Sequence, residues 1–495
     1  MNRPIRNLAI ACLVLFLALM LNATYLQYWE AKDLNSLDKH GNNNRVKDAA
    51  FSQPRGTILV NGRAVARNKK SGDQFKYQRL YPLGAEYAHL AGYFSRQRFG
   101  GIESSENGVL TGDAPGLFVN RLVDVLRNKA PQGGNVSLTI NAAAQRAAYD
   151  GLRKLGTRVR GAVVALEPQT GRVLAMVSSP TFNPNRLAVH DIAASDRAYN
   201  RLIADPLSPL NNRAIEERLP PGSTFKLVTA AAALSSGKYE PTTMVPGGSF
   251  LDLPLTSKNL PNSNGGSCGG KKITLTRALE VSCNVAFGAI GLDLGGDALR
   301  AQAEKFGFNR SGYFTDLDDP LTSQATSIFP TEVNAPQSAL SAIGQYEVAA
   351  TPLQMAMVVA GIANNGQVMK PYLVDQFQSA DLDVIKPVDP QVLTAHAVTA
   401  AVARKLTEMM VSVVDNGTGH NAQIPGFKIA GKTGTAQSSR SRPPYAWFVA
   451  FGPSENAKVA VAVLIQDAGV ERDQISGGGL AAPIARAVME AVLNP

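Results

Sequence analysis

A serine hydroxyl is too weakly acidic to attack a carbonyl unaided, but a lysine amine stripped of water can be neutral enough to take its proton. The heptapeptide Pro220-Pro221-Gly222-Ser223-Thr224-Phe225-Lys226 sets these two groups three residues apart. Behind it runs Leu227-Val228-Thr229-Ala230-Ala231-Ala232-Ala233-Leu234, which stops near Gly237. Two prolines and a glycine ahead of an apolar, alanine-rich run describe the sharp start of a buried helix. On that helix Ser223 and Lys226 share a face, so their heads can meet. The S-x-x-K pattern alone is weak, since roughly one or two copies arise by chance in a chain of this length. Ser36-Leu37-Asp38-Lys39 and Ser235-Ser236-Gly237-Lys238 are such copies, one in a polar stretch and one where the apolar run ends.

Two later stretches give the first one meaning. Ser282-Cys283-Asn284 follows the helical Leu275–Val281, and Lys432-Thr433-Gly434 lies within a strand-like Gly431–Thr435. A second serine can pass a proton on. An asparagine carries both a donor and an acceptor, and Lys432 is a cation followed by threonine hydroxyls at 433 and 435. S-x-N also occurs at Ser105-Glu106-Asn107, Ser257-Lys258-Asn259 and Ser454-Glu455-Asn456. Only the copy at Ser282 combines a helical setting with a place between the other two motifs.

These residues need a frame. Gly161–Leu166 and Arg172–Val177 read as two apolar strands joined by Glu167–Gly171, a hairpin. Three more strands are expected at Lys428–Ala436, Tyr445–Phe451 and Lys458–Gln466. Helical patterns cover Ala142–Leu155, Leu275–Leu292, Pro352–Ala363, Ala400–Val414 and about Leu480–Leu493. The fold class expected is therefore mixed α+β: one antiparallel sheet of about five strands, closed by distant segments and covered by helices. Ahead of it, residues 30–134 show short strand and turn signals and little catalytic chemistry, a small module on a polar stalk. The catalytic domain is placed at 135–495.

The chain of 495 residues is 45% hydrophobic and 18% charged, as folded proteins are, which excludes an unstructured chain. Its net charge of +10 is spread without a long Lys/Arg block, so no nucleic-acid partner is expected. Leu8–Leu21 is apolar throughout and extends to Leu26, with Arg3 and Arg6 before it and Tyr25, Tyr28 and Trp29 around its end. That describes one membrane span within residues 1–29, with a short cytoplasmic tip and an external body. A cleaved signal peptide competes, but no A-x-A-like site ends the run. Outside the cytoplasm Cys268 and Cys283 are candidates for a disulfide, closing a loop worth ~3 kcal/mol by chain entropy; the competing reading is two unrelated thiols. Cys12 falls inside the apolar span.

The ordered triple S-x-x-K, S-x-N and K-T-G resembles the penicillin-binding proteins and serine β-lactamases. Arg55-Gly-Thr-Ile58, Gly101-Ile-Glu103, Leu138–Asn141 with Gln145, Gly161–Met176 and Thr351–Ala356 with Asn364-Asn-Gly366 are similar to class B penicillin-binding proteins, and the front module to the actinobacterial penicillin-binding protein A type. The resemblance implies a serine-type D,D-transpeptidase of the plasma membrane, active in cell-wall synthesis at division and acylated by β-lactams. Ser223 would attack an acyl-D-alanyl-D-alanine stem peptide with Lys226 as base, and Ser282 would carry the proton to the leaving D-alanine. Asn284 would hold the substrate amide. Lys432, Thr433, Gly434 and Thr435 would form the carboxylate site, and the N–H groups of Ser223 and Thr435 the oxyanion hole. Stem peptides, β-lactams, the membrane and division or elongation proteins are the implied partners; no cofactor or metal is expected.

Rival patterns lack their settings. Gly426–Thr433 spells G-x-x-x-x-G-K-T, but a strand reads inside it and no helix follows, so a P-loop is disfavoured. Gly265-Gly266-Ser267-Cys268-Gly269 spells a nucleophile elbow without the strand and helix that build one. The five histidines show no metal-ligand spacing. A D,D-carboxypeptidase or β-lactamase would use the same motifs, but no E-x-x-L-N lies between Ser282 and Lys432. A division scaffold or β-lactam sensor with incidental acylation is the reading from another class.

Overall fold

The structure, a computed structural model, describes residues 3–30, 51–117, 132–318, 324–437 and 443–494. Helix α1 (Arg3–Tyr28) is long and apolar enough to cross a membrane, and none of its residues is buried by the rest of the chain. Ser36–Lys39 lies outside the described residues.

Strands β1 (Ile58–Val60), β2 (Arg63–Lys70) and β3 (Tyr77–Leu80) begin the front module, and β4 (Asn135–Leu138) joins them. Their sheet is not closed within the module. It runs 384–387, 374–378, β4, β1, β2, β3, so two of its strands come from deep in the catalytic part of the sequence. β4 pairs with β1 in parallel and with 374–378 antiparallel, and the boundary expected at 134 falls immediately before this shared strand. Glu103 anchors the module from within: fully buried, it accepts from Arg55 Nε and Arg79 Nε, each at 2.6 Å, and from the Tyr81 hydroxyl at 3.2 Å. Burial pushes this carboxyl up, and the two guanidiniums more than reverse that, leaving it below the usual range. Gln145 ties the front module to the chain that follows it, donating to the carbonyls of Glu86 (2.9 Å) and Met176 (3.1 Å).

The second sheet has five antiparallel strands. β5 (Arg160–Leu166) and β6 (Val173–Ser179) form the expected hairpin. β7 (Ala430–Ala436), β8 (Tyr445–Gly452) and β9 (Val459–Asp467) complete the order β7-β8-β9-β5-β6, so segments some 250 residues apart share one sheet. β5, β6, β8 and β9 read as nearly unbroken apolar runs because both faces are covered, whereas β7 carries Lys432, Thr433 and Thr435. Val163, Ala165 and Val463 face a layer with α2 (Ala142–Lys154) and the C-terminal helix Ala482–Leu493, while Ala162, Val164 and Leu464 face the central helices. Those central helices are α3 (Lys226–Ser235), α4 (Leu275–Glu280), α5 (Asn284–Lys305), α6 (Pro352–Ala363) and α7 (Ala400–Asn416). β7 is an edge strand, which leaves it free to line a cleft.

One helical expectation changes. The pattern over Leu275–Leu292 is two helices, α4 and α5, broken at Val281-Ser282-Cys283, with Ser282 at φ +58°. Cys283 and Cys268 are joined, with S–S 2.11 Å, which ties the loop of the apparent nucleophile elbow to this break.

Candidate active site

The turn that presents Ser223 is 3₁₀ over Gly222–Phe225, and α3 begins at Lys226. In a 3₁₀ turn side chains three residues apart eclipse, so the S-x-x-K spacing stacks Ser223 over Lys226. Gly222 sits at φ +53°, and a Cβ there would come within 3.0 Å of the Ala436 Cα. The residue must be left-handed and the β7 backbone is too close for a side chain, so both demands select glycine. Gly434 makes the reciprocal approach. Its missing Cβ would lie 2.9 Å from Thr224 Cγ2 and 3.0 Å from the Pro221 carbonyl oxygen. Trp447, fully buried on β8 and paired in register with Gly434, donates from Nε1 to the Pro220 carbonyl at 3.0 Å. Strand and turn are thereby locked together, and this, rather than any chemistry of its own, is what the glycine of K-T-G supplies.

That packing gives a testable result. Gly434→Ala is expected to lower the second-order rate constant for acylation by a fluorescent penicillin by at least about tenfold, at a stability cost of about 1–3 kcal/mol, since the added methyl must part β7 from the nucleophile turn. An unchanged rate constant in a variant of unchanged melting temperature would mean that the contact is slack.

The polar groups meet at the α4–α5 break. Lys226 Nζ lies 2.6 Å from the Ser282 carbonyl oxygen, 2.7 Å from Asn284 Oδ1 and 3.3 Å from Ser282 Oγ. Within a continuous helix the Ser282 carbonyl would be spent on a backbone N–H four residues on; the break releases it to the amine. Lys432 Nζ donates to Ser282 Oγ at 2.9 Å and to the Thr433 carbonyl at 2.9 Å. Ser282 thus stands between two buried lysines. These hydrogen bonds bring Lys226, Ser282, Asn284 and Lys432 together, and Ser223 stands one 3₁₀ turn ahead of Lys226. Among the described residues no hydrogen bond joins Ser223 Oγ to the Lys226 amine, which is turned toward Ser282 and Asn284.

Electrostatics sort the two lysines. Burial, and then the neighbouring Lys432 cation, hold Lys226 well below the ordinary lysine range. Burial alone pushes Lys432 down to about 7. Lys226 gives up its proton first. As a neutral amine it has two N–H bonds, matched by the two short contacts to Ser282 O and Asn284 Oδ1, and one lone pair left to accept a hydroxyl proton.

Other assignments are refined. Asn284 Oδ1 is taken by Lys226, and its Nδ2 donates to the Pro261 carbonyl at 3.1 Å, so one N–H remains for a ligand. Thr433 is buried, its Oγ1 2.6 Å from Thr418 Oγ1; the pair has two hydroxyl hydrogens and uses one between them, leaving one to give. Thr435 is exposed at the strand surface. Two residues here escaped the sequence reading. Thr418, which orients Thr433, follows Gly417 in an unpatterned loop. Asn262, buried in the polar loop after Pro261, accepts from the Val285 N–H at 3.1 Å and steadies the start of α5. The only available signal for Asn262 was an asparagine beside a proline. Among the described residues no group of three or more His, Cys, Asp or Glu is placed to hold a metal. The rival S-x-x-K ends α3, where exposed Lys238 pairs with Asp293 at 3.2 Å.

The penicillin binding protein transpeptidase domain model matches residues 161–490, and the penicillin binding protein A dimerisation domain model matches residues 55–136. Peptidoglycan D,D-transpeptidase PbpA of Mycolicibacterium smegmatis is 42% identical, with 100% of this chain and 99% of that one aligned. The protein of the same name from Mycobacterium tuberculosis is 40% identical over 100% of this chain and 99% of its own. The structure of penicillin-binding protein A from M. tuberculosis as its penicillin G acyl-enzyme superposes with a TM-score of 0.83 at 40% identity, covering 89% of this chain and 100% of that one. The same protein's ceftriaxone acyl-enzyme gives 0.85 at 39% identity, covering 90% and 100%.

Proposed function

The chain belongs to the penicillin-binding protein transpeptidase family, and from that premise we propose how its residues share out the work of a peptidoglycan D,D-transpeptidase. The enzyme cross-links stem peptides through a serine acyl-enzyme, the species that β-lactams trap. Ser223 is the nucleophile. Its hydroxyl proton passes to the lone pair of neutral Lys226 as Oγ bonds to the penultimate D-alanine carbonyl carbon. The N–H groups of Ser223 and Thr435 receive the developing oxyanion. Ser282, hydrogen-bonded to Lys432 and within reach of Lys226, relays that proton to the nitrogen of the departing D-alanine as the amide bond breaks. The amine of a second stem peptide then attacks the ester carbonyl carbon, the bond from that carbon to Ser223 Oγ breaks, and the proton the amine loses returns to Ser223 Oγ by way of Lys226.

Lys432 and the Thr418–Thr433 pair hold the terminal carboxylate together with Thr435. Asn284 sets the orientation of Lys226 and lends its free N–H to the peptide. The observation that carries this reading is Ser282 Oγ lying 3.3 Å from one lysine amine and 2.9 Å from the other. Helix α1 anchors the enzyme in the plasma membrane with its N-terminus in the cytoplasm, residues 30–134 form the non-catalytic module and 135–495 the transpeptidase domain. Division or elongation proteins are the partners this arrangement fits.

Transfer and hydrolysis share every step up to the acyl-enzyme, so products decide between them. With a D-Ala-D-Ala stem peptide and an amine acceptor, cross-linked product is expected to exceed hydrolysed donor. Donor trimmed by one D-alanine, with no amide product at any acceptor concentration, would make this a carboxypeptidase.

A further inference from the structure

The first folded element after the anchor carries a stripe of cations that the chain itself does not use. Hairpin β2–β3 exposes Arg63, Arg67, Lys69, Lys70 and Lys76, and none of these side chains has a hydrogen bond or ion pair among the described residues. Asp73 is the one acidic residue of the hairpin, and His190 holds it. The sheet register explains the outward display of Arg67 and Lys69. Asn68 pairs with Arg79, and both turn inward, Asn68 to the Arg55 carbonyl and Arg79 to Glu103. Arg67 and Lys69, which alternate with Asn68, therefore project from the opposite face. Arg63 and Lys69 lie about 20 Å apart along the strand. β3 is an edge strand, so the hairpin stands at the margin of its sheet.

We infer that this basic hairpin docks on the phosphodiester headgroups of the membrane that holds α1. The idea rests on the reading of α1 as a membrane span. Tyr28 and Phe51 are about 23 residues apart, so the module cannot lie farther than ~80 Å from the end of the anchor. The intervening segment carries four cations (Lys32, Lys39, Arg45, Lys47) against four acids (Glu30, Asp33, Asp38, Asp48) and does not compete for anionic lipid. Attraction of a polybasic segment to an anionic surface acts within about one Debye length, so it needs this tether to be effective. Docking would fix the height and tilt of the catalytic domain above the bilayer, through the β4 strand that module and domain share.

Gly72, in the hairpin loop, accepts a side chain freely, since nothing lies within 4 Å of its missing Cβ. The test uses the full chain with Cys12→Ala and a fluorophore on Gly72→Cys. It is reconstituted into phosphatidylcholine vesicles with or without about a third phosphatidylglycerol, each carrying a headgroup quencher. Quenching is expected to be at least about threefold greater in the anionic vesicles and to fall to the neutral level in about 0.5 M salt. Replacing the five cations by glutamine should remove the difference while leaving penicillin labelling intact. Equal quenching in both vesicles, or quenching unmoved by the five replacements, overturns the proposal. So does charge-dependent binding of a soluble polyglycerol phosphate without any vesicle difference, which would make a wall polymer the ligand. Flotation reports insertion of the anchor separately: if the protein does not float with either vesicle, the anchor and the docking proposal both fail.

Discussion

Ser223→Ala is expected to abolish covalent labelling by a fluorescent penicillin, by more than about 10⁴-fold in rate, because it removes the oxygen that forms the acyl ester, while Ser282 Oγ is held between two lysine amines in a relay position. The fold should not notice the change. Ser223 is half-buried at a 3₁₀ turn and its hydroxyl makes no hydrogen bond among the described residues, so the melting temperature is expected to stay within about 2 °C. The necessary control is Ser235→Ala in the second S-x-x-K. That serine closes α3, and its lysine is tied to Asp293 on the surface, so labelling should proceed at the parental rate. Labelling of Ser223→Ala at anything near the parental rate would move the nucleophile elsewhere and dissolve the roles given to Lys226 and Ser282.

The site was legible in the sequence where chemistry dictates residue type, and illegible where backbone conformation does. The three motifs, their order and the strand and helix that carry them follow from local pattern: Pro-Pro-Gly ahead of an alanine-rich run starts a helix, and four of the five strands are apolar because both their faces are covered, β7 being marked by its motif instead. The break at Ser282 left no such mark. Leu275, Ala278, Leu279, Ser282, Ala286 and Ile290 keep a three-to-four residue period straight across it, so the pattern reads as one helix. What ends α4 is Ser282 in a left-handed conformation, held by Lys226 from 56 residues away and by the bridge from Cys283 to Cys268. Tertiary contacts, not propensity, place that turn. The same holds for the front module. Its strands signal themselves locally, but the two that complete the sheet, 374–378 and 384–387, are half a chain away and too short and mixed to show alternation. Thr418 and Asn262 are invisible for a related reason: each acts by orienting another residue, and orientation leaves no periodic signal.

Lys226→Met should slow acylation by about 10²- to 10⁴-fold, the range lost with a general base, and pH separates this role from mere charge. The base must be the neutral amine. Burial and the Lys432 cation both disfavour the protonated form and so shift the amine toward its neutral state. Acylation by the parent enzyme is therefore expected to fall as pH is lowered through the depressed pKa of Lys226, and to gain little as pH rises toward the ordinary lysine range. On the basic side, Lys432 loses its charge above about 7 in the free enzyme, and attraction for the substrate carboxylate declines with it. Lys432→Met removes the cation that helps to depress Lys226, so the pKa of Lys226 rises and the acid limb moves to higher pH, whatever happens to affinity. Lys226→Arg should be as inactive as Lys226→Met, since a guanidinium cannot give up its proton. An acid limb that stays in place in Lys432→Met, or substantial activity in Lys226→Arg, would show that the amine at 226 contributes its charge and not its lone pair.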